Sequence, residues 1–420
     1  MSRTRRSAPP ILLTVVATLA AGCSGSGNAP ATTVKVALEG PITGPQSSTG
    51  VDMLRGVMLA VDEANADGGV LGRKVQLIRA DDRADPDRGR QVAEAVVNEG
   101  AFAVVGPYNS SVGVENLPIY LKAGVIPIHL TSTESTDGEG YTVQPKDYQV
   151  APVEANAIVG LYKAKRVAIV YDPSTYTAGI ARQVRSALDK AGVTVVSFER
   201  VNPSSHPHLD LVKRIANLNP DLVYASTYYP EGAVLARKIR QLHLGGTCFM
   251  GLANQDPAFV TKAGLSASRD CVFSGVPSAE LLPGARQYVR QYRSRFGADP
   301  GTWGSFTYDS MRLLFDAVRR AGGWTPGKVR QALSETENYT GITGSITIDP
   351  KTGNRKNVPV VLLDVNGEGH YVIDPKWEAF SLLPPFVVGS RTGRGAKRDR
   401  PIELTEQPTG RSRLTLPRPI

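Results

Sequence analysis

Short apolar runs alternate along the chain with longer stretches in which apolar residues return every three or four positions, the patterns of a buried strand and of an amphipathic helix. The pattern predicts a first strand from Val34 to Leu38, a Gly/Pro/Ser/Thr loop from Glu39 to Gly50, and a helix from Asp52 to about Ala66 that Asp67-Gly68-Gly69 ends. Lys74 to Ala80 reads as a second strand, Pro86 to Glu99 as a helix and Ala101 to Val105 as a strand. A loop at Gly106 to Ser111 then leads into a helix that reaches Ala123, and Val125 to Leu130 is the next strand. The same order begins again with strand Arg166 to Tyr171, loop Asp172 to Ala178, helix Gly179 to Ala191 and strand Val193 to Glu199. Helix Leu209 to Leu218, strand Leu222 to Ala225, loop Ser226 to Glu231 and a helix to Gln241 follow. Helices Leu282 to Phe296 and Phe306 to Arg320, then strand-like segments Gly344 to Asp349 and Val358 to Val365, complete the body. Alternating strands and helices are the signature of βαβ units on a parallel sheet, so two similar Rossmann-like α/β lobes are expected. A body of about 350 residues exceeds what one core supports, which also points to two domains.

The two ends of the chain break this pattern. Arg3, Arg5 and Arg6 precede a short apolar run, Ile11 to Leu19, and small residues lead from there to Cys23, as an export signal requires. The run is shorter than the roughly 20 residues that cross a bilayer. Leu19-Ala20-Ala21-Gly22-Cys23 resembles the lipobox of bacterial lipoproteins, although Ala20 stands where a large aliphatic residue is usual. The expectation is a signal peptide over residues 1–22 and a lipidated Cys23 as the mature N-terminus. The alternatives are ordinary cleavage near Ala21 with a fortuitous cysteine and, through Arg5-Arg6, twin-arginine export. Residues 23–33, rich in Gly, Ser, Ala and Pro, read as a tether between lipid and body. At the other end, residues 378–420 form a basic tail. Within it Gly389 to Ile420 is expected to be disordered, because Pro and Gly interrupt any period and the charge is one-sided. That charge either adds attraction of about 1 kcal/mol per basic residue near an anionic membrane or belongs to a solvated appendage.

The formal charge of +9 suggests nucleic acid until its location is considered. The n-region holds three of those charges. Residues 379–420 hold a net five, from eight basic residues against Asp399, Glu403 and Glu406, so the body is close to neutral. A nucleic-acid partner is therefore not expected. With Cys23 lipidated, only Cys248 and Cys271 remain, each beside a strand-like run. Adjacent parallel strands in an oxidising compartment would bridge them; the other possibility is two buried thiols.

Ligands of open parallel sheets bind at the carboxyl ends of the strands. Gly106 to Ser111 places two hydroxyls before a helix, and Leu130-Thr131-Ser132-Thr133 places three after a strand. Hydroxyls with exposed backbone N–H groups at a helix start suit a carboxylate, although helix capping alone uses the same residues. The second lobe offers Tyr171, Tyr176, Tyr228 and Tyr229, with Asn254, Gln255 and Asp256. These rings either give contact area for an apolar group in a cleft or pack under the loops. Signals for catalysis, cofactors and metals fail one by one. Gly322 to Lys328 copies most of a phosphate loop, but Val329 stands where Ser or Thr must contact magnesium. His206-Pro207-His208 lacks further ligands, and Asp81, Asp82, Asp85 and Asp87 miss the spacing of a calcium loop and suit capping of the Pro86 helix instead. Neither an enzyme, a cofactor nor a metal is expected.

Several stretches carry a resemblance by their order and spacing. They are Val36-Ala37-Leu38 through Thr43-Gly44-Pro45, Gly68 to Arg73, Asp81-Asp82, Val105-Gly106-Pro107 with Ser110-Ser111, and Val125 to Ile128. Lys165 to Val170, Asp221 to Tyr224 with Tyr228 to Glu231, and Phe249-Met250-Gly251 continue it. From about Val34 to Trp377 the chain resembles the type I periplasmic binding proteins, specifically the leucine/isoleucine/valine-binding group that serves branched-chain amino-acid importers. The resemblance implies two lobes, 34–150 with 277–356 and 151–276 with 357–377, joined by three crossovers that close around a small solute. It also implies a monomer that delivers this solute to an ABC permease, with a sensory receptor module as the rival. The family's carboxylate site falls on Ser110, the backbone of Thr131, and Thr133, and its aromatic contacts fall on Tyr176 and Tyr228. Two positions depart: Thr49 replaces an aromatic residue beside the ligand, and Ala253 replaces the acid that receives the ligand ammonium. Either Asp256 substitutes for that acid or the solute lacks an α-amino group.

Overall fold

A computed structural model describes residues 33–203 and 208–381. The signal peptide, Cys23, nearly all of the tether, His206, Pro207 and the tail from residue 382 lie outside the described residues. Four parallel strands form the first sheet: β1 (Val34–Gly40), β2 (Val75–Asp81), β3 (Ala103–Val105) and β4 (Ile126–Ile128), in the order β2-β1-β3-β4. In the second, β5 (Arg166–Tyr171), β6 (Thr194–Arg200), β7 (Leu222–Ser226), β8 (Thr247–Met250) and β9 (Cys271–Gly275) run parallel. A separate hairpin, β10 (Tyr339–Gly341) with β11 (Gly344–Ile346), precedes β12 (Val361–Val365) and β13 (Tyr371–Ile373). These last two extend the second sheet antiparallel, giving the order β13-β12-β9-β8-β7-β5-β6. The inner strands are apolar almost without interruption because helices cover both faces; β3, β4, β7 and β9 are buried at every position.

Two helices of the first lobe, Ser47–Ala66 and Gly304–Arg320, pack closely enough that only glycine fits between them. A Cβ on Gly56 would stand 2.0 Å from the carbonyl oxygen of Gly304. Beside this crossing, buried Asp52 accepts from the backbone N–H groups of Gly301 (2.9 Å) and Gly304 (2.6 Å) and from the Tyr292 hydroxyl (2.9 Å). Burial raises its pKa, the backbone donors oppose the rise, and the bonds hold the turn that carries Thr302 and Trp303.

The chain passes from the first lobe to the second through the helix Asp147–Asn156 and a π-turn, Ala157–Leu161, and returns after β9. It passes again before β12, where Thr142 and Asn354 bridge two of the crossing segments. Buried Arg355 spans the same place, donating to the carbonyl oxygens of Val143 (3.2 Å), Thr343 (3.0 Å) and Ser345 (2.9 Å). Cys248 and Cys271 are register partners on β8 and β9 with Cα atoms 4.5 Å apart, and the structure joins them as a disulfide.

Some elements differ from the sequence pattern. The first helix begins at Ser47, so Thr49 lies in its first turn rather than in a loop. Helix Thr175–Lys190 likewise starts early, because Ser174 caps it by accepting from the Thr177 N–H. The crossover helix Asp147–Asn156 is hidden in the sequence by Pro152 and a nearly uniform apolar distribution. Gly322 to Lys328 leads into the helix Pro326–Ser334, with proline in its first turn where no N–H is missed. Helix Pro375–Ser381 carries the fold past Trp377, and Phe380 packs against Gly160 of the π-turn.

Candidate functional site

Between the lobes lies a narrow, nearly closed cavity of about 20 Å³. The first lobe contributes Tyr108 from the loop after β3, Ser110 at the start of helix Ser110–Lys122, and Leu130 and Ser132 from the loop after β4. Gln144 and Pro145 enter from the first crossover, and Trp303 from the turn that Asp52 holds. On the second lobe stand Tyr176 at the start of helix Thr175–Lys190, Tyr228 just before helix Tyr229–Gln241, and Leu252 and Ala253 from the turn after β8. A larger groove beside the disulfide, lined by Arg237, Arg240, His243 and Asp270, is open to solvent.

Aromatic rings dominate the cavity. Trp303 lies 5.7 Å from Tyr108, Tyr108 lies 5.9 Å from Tyr228, and Tyr228 lies 5.9 Å from Tyr176, a continuous chain with two rings from each lobe. All four are buried. Burial is the main cause that pushes the three phenols above their ordinary pKa, so they remain neutral hydrogen-bonding groups at any physiological pH. No Asp, Glu, Lys, Arg or His is among the lining residues. The polar corner is made by Ser110, whose Oγ accepts from the backbone N–H of Ser132 (3.3 Å), and it lies at a helix start, where the first backbone N–H groups have no helical acceptor. A hydroxyl and backbone donors at that corner favour an anionic group, and the rings favour an apolar or aromatic body.

Of the residues picked out in the sequence, Ser110, Ser132, Tyr176, Tyr228 and Ala253 meet in this cavity. Thr131 lies behind it, its hydroxyl engaged with His129 Nδ1 (2.8 Å) and Thr136 Oγ1 (2.8 Å). Thr133 is half-buried outside the lining, and its carbonyl oxygen accepts from Lys146 Nζ (2.8 Å) and the Thr136 hydroxyl (2.8 Å). Thr49 and Asp256 meet each other across the cleft instead of facing the cavity. The Thr49 hydroxyl donates to Asp256 Oδ2 (2.8 Å) and the Ser48 hydroxyl to Asp256 Oδ1 (2.6 Å), while the Ala258 N–H also donates to Oδ1 (2.8 Å). Burial raises the Asp256 pKa to about 6, against the opposing pull of these donors. With both oxygens occupied, Asp256 fastens the lobes together.

Other contacts cross the cleft nearby. The Tyr229 hydroxyl donates to the Pro45 carbonyl oxygen (2.7 Å), and the Thr175 N–H donates to Ser111 Oγ (3.0 Å). The structure is thus that of closed lobes. Tyr108 and Trp303 escaped the sequence reading although each is an aromatic residue in a short turn before a helix, which is the signal that finds them. Gln144 and Pro145 had no such signal, since they depend on the hidden crossover helix.

A family model described as periplasmic binding protein matches residues 33–370. The Leu/Ile/Val-binding protein BraC3 of Rhizobium johnstonii is 32% identical over 343 residues, which are 80% of this chain and 92% of that protein. The leucine-, isoleucine-, valine-, threonine- and alanine-binding protein of Pseudomonas aeruginosa is 29% identical over 332 residues, 78% of this chain and 88% of that one. Among solved structures, a leucine-binding protein of Thermotoga maritima superposes with a TM-score of 0.75 at 25% identity, covering 81% of this chain and 98% of that chain.

Proposed function

The chain belongs to the type I periplasmic binding proteins, in their branched-chain amino-acid group, and we propose that it captures a small hydrophobic solute bearing a carboxylate and delivers it to an ABC permease. As a member of that family it is an extracytoplasmic binding protein and not an enzyme. The observation that carries the proposal is the pairing of one polar corner, Ser110 with the Ser132 N–H, with four buried rings shared between two lobes. The corner would take the carboxylate and the rings the side chain. The relatives' printed names, for binding of leucine, isoleucine and valine, agree with such a solute.

Affinity without chemistry then follows from closure. The first lobe takes the carboxylate, the second brings Tyr176 and Tyr228 over the side chain, and the contacts from Asp256 form only when the lobes meet. Micromolar binding requires only about 8 kcal/mol. A thermal-shift screen of amino acids and of aliphatic and aromatic carboxylates tests the proposal. A ligand at 100 times its dissociation constant adds about 2.7 kcal/mol of stability, whereas a flat response across hydrophobic carboxylates rejects it.

Attachment to the membrane is the second part of the proposal and rests on the small residues before Cys23. Among the described residues no helix is long and apolar enough to cross a membrane. Several acyl chains on Cys23 would hold the protein at the outer face of the cytoplasmic membrane, where one chain alone gives only reversible binding. Cys23→Ser should move the protein from the membrane fraction to the soluble extracytoplasmic fraction. A variant that stays with the membrane and still carries lipid contradicts the assignment.

A further inference from the structure

Every side chain that lines the cavity is uncharged. The charge it suits is negative, at the Ser110 corner, where a hydroxyl stands at a helix start. An α-amino acid would bring a positive charge into the same space, and that charge needs acceptors. The backbone acceptors of the wall are already engaged: the carbonyl oxygens of Leu130, Ser132 and Leu252 accept from Gln144 Nε2, the Asp147 N–H (3.0 Å) and the Gln255 N–H (3.1 Å). At about 20 Å³ the closed cavity has room for about one water, so closure leaves little water to make up for them.

The buried acids of the surrounding loops and helices do not supply the acceptor. Asp256 accepts from Ser48, Thr49 and Ala258 and fastens the lobes together. Glu154 accepts from the Tyr224 hydroxyl (2.6 Å) and from Ser274, and Asp172 accepts from the Ser174 N–H, the Thr177 hydroxyl and the Tyr228 N–H. Asp147, whose Oδ1 has no partner among the described residues, is held behind Ser132 by its backbone bond and is not part of the lining. Burial is the main cause that raises Asp256 to about 6 and Glu154 to about 7, a sign that these walls disfavour an isolated charge. A buried ammonium without acceptors therefore binds at a large penalty.

We propose that the cleft selects hydrophobic monocarboxylates without an α-amino group, aliphatic or aromatic, over the corresponding amino acids. The inference rests on the carboxylate reading of the Ser110 corner and deepens it by naming the solute class. The carboxylate is then the only charge the bound solute carries, and the uncharged wall of rings, Leu252 and Ala253 receives the rest.

The test is calorimetry with two matched pairs, 4-methylpentanoate against L-leucine and 3-phenylpropanoate against L-phenylalanine, on the wild type and Ala253→Glu. The wild type should bind the deaminated member of the better-binding pair more tightly by about tenfold or more, and comparison of the pairs tells an aliphatic from an aromatic body. Ala253→Glu adds a carboxylate to the lining and should shift the preference toward the amino acid by about tenfold or more. Its melting curve reports whether the fold is kept, and if it is not, the wild-type comparison decides alone. A wild type that prefers the amino acid, or that shows no such preference, overturns the selectivity while leaving the carboxylate reading standing. A folded Ala253→Glu variant with the wild-type preference overturns the selectivity too, because the uncharged wall would then not set it. Failure of both pairs to bind the wild type overturns the carboxylate reading and the proposed selectivity with it.

Discussion

Asp256→Ala should weaken solute binding by about a hundredfold or more. The Asp256 carboxylate accepts two hydroxyl bonds across the cleft, from Ser48 and Thr49, and both exist only in the closed arrangement. Hydrogen bonds to a charged group contribute about 1.5 to 3 kcal/mol each, and a decade of affinity is about 1.4 kcal/mol. Removing both bonds therefore shifts the balance toward open lobes even though no atom of Asp256 lines the cavity. Small-angle scattering of the liganded variant should show a larger radius of gyration than the liganded wild type at equal solute concentration. Calorimetry that finds less than a threefold change would mean that closure does not depend on this contact.

Trp303→Ala should carry the next largest effect, on folding and binding together. Trp303 is 3% exposed, packs with tilted rings at 5.7 Å from Tyr108 and 5.4 Å from Phe306, and joins the chain of cavity rings at the first lobe. Truncating a buried Trp to Ala costs about 3 to 5 kcal/mol of stability, so scanning calorimetry should record a clear fall in Tm. Buried aromatic residues at the centre of a contact cost about 2 kcal/mol or more of binding when truncated, which is about thirtyfold in affinity. Trp303→Phe should recover most of the stability and part of the affinity. Wild-type affinity in Trp303→Ala would remove the rings from the account of recognition.

How much of this was legible in the sequence depended on whether the signal was local. Strand β5 is found at its expected bounds because an apolar run between turn residues needs nothing from the rest of the chain. Ser110 was legible for the same reason, as a hydroxyl between a buried strand and a helix. The crossover helix Asp147–Asn156 was not, since Pro152 interrupts it and tertiary packing in place of a periodic face sustains it. With that helix went Gln144 and Pro145, which its position brings to the cleft. Asp256 was legible as a candidate but not in its task. Only the folded chain shows that Ser48 and Thr49, more than two hundred residues away in sequence, occupy both its oxygens. The hydroxyls of Thr131 and Thr133 looked equivalent to that of Ser132 in sequence, yet the turn of the loop after β4 directs Thr131 to His129 and leaves Ser132 at the cavity.

The central claim is that the Ser110 corner between the lobes holds a solute carboxylate, and titration of Ser110→Ala beside the wild type with the tightest ligand of the screen tests it most directly. Loss of one charge-assisted bond of about 1.5 to 3 kcal/mol predicts an affinity ten to a hundred times weaker, with the melting temperature of the solute-free protein nearly unchanged. Equal affinity in the two proteins would place the carboxylate elsewhere and contradict the account.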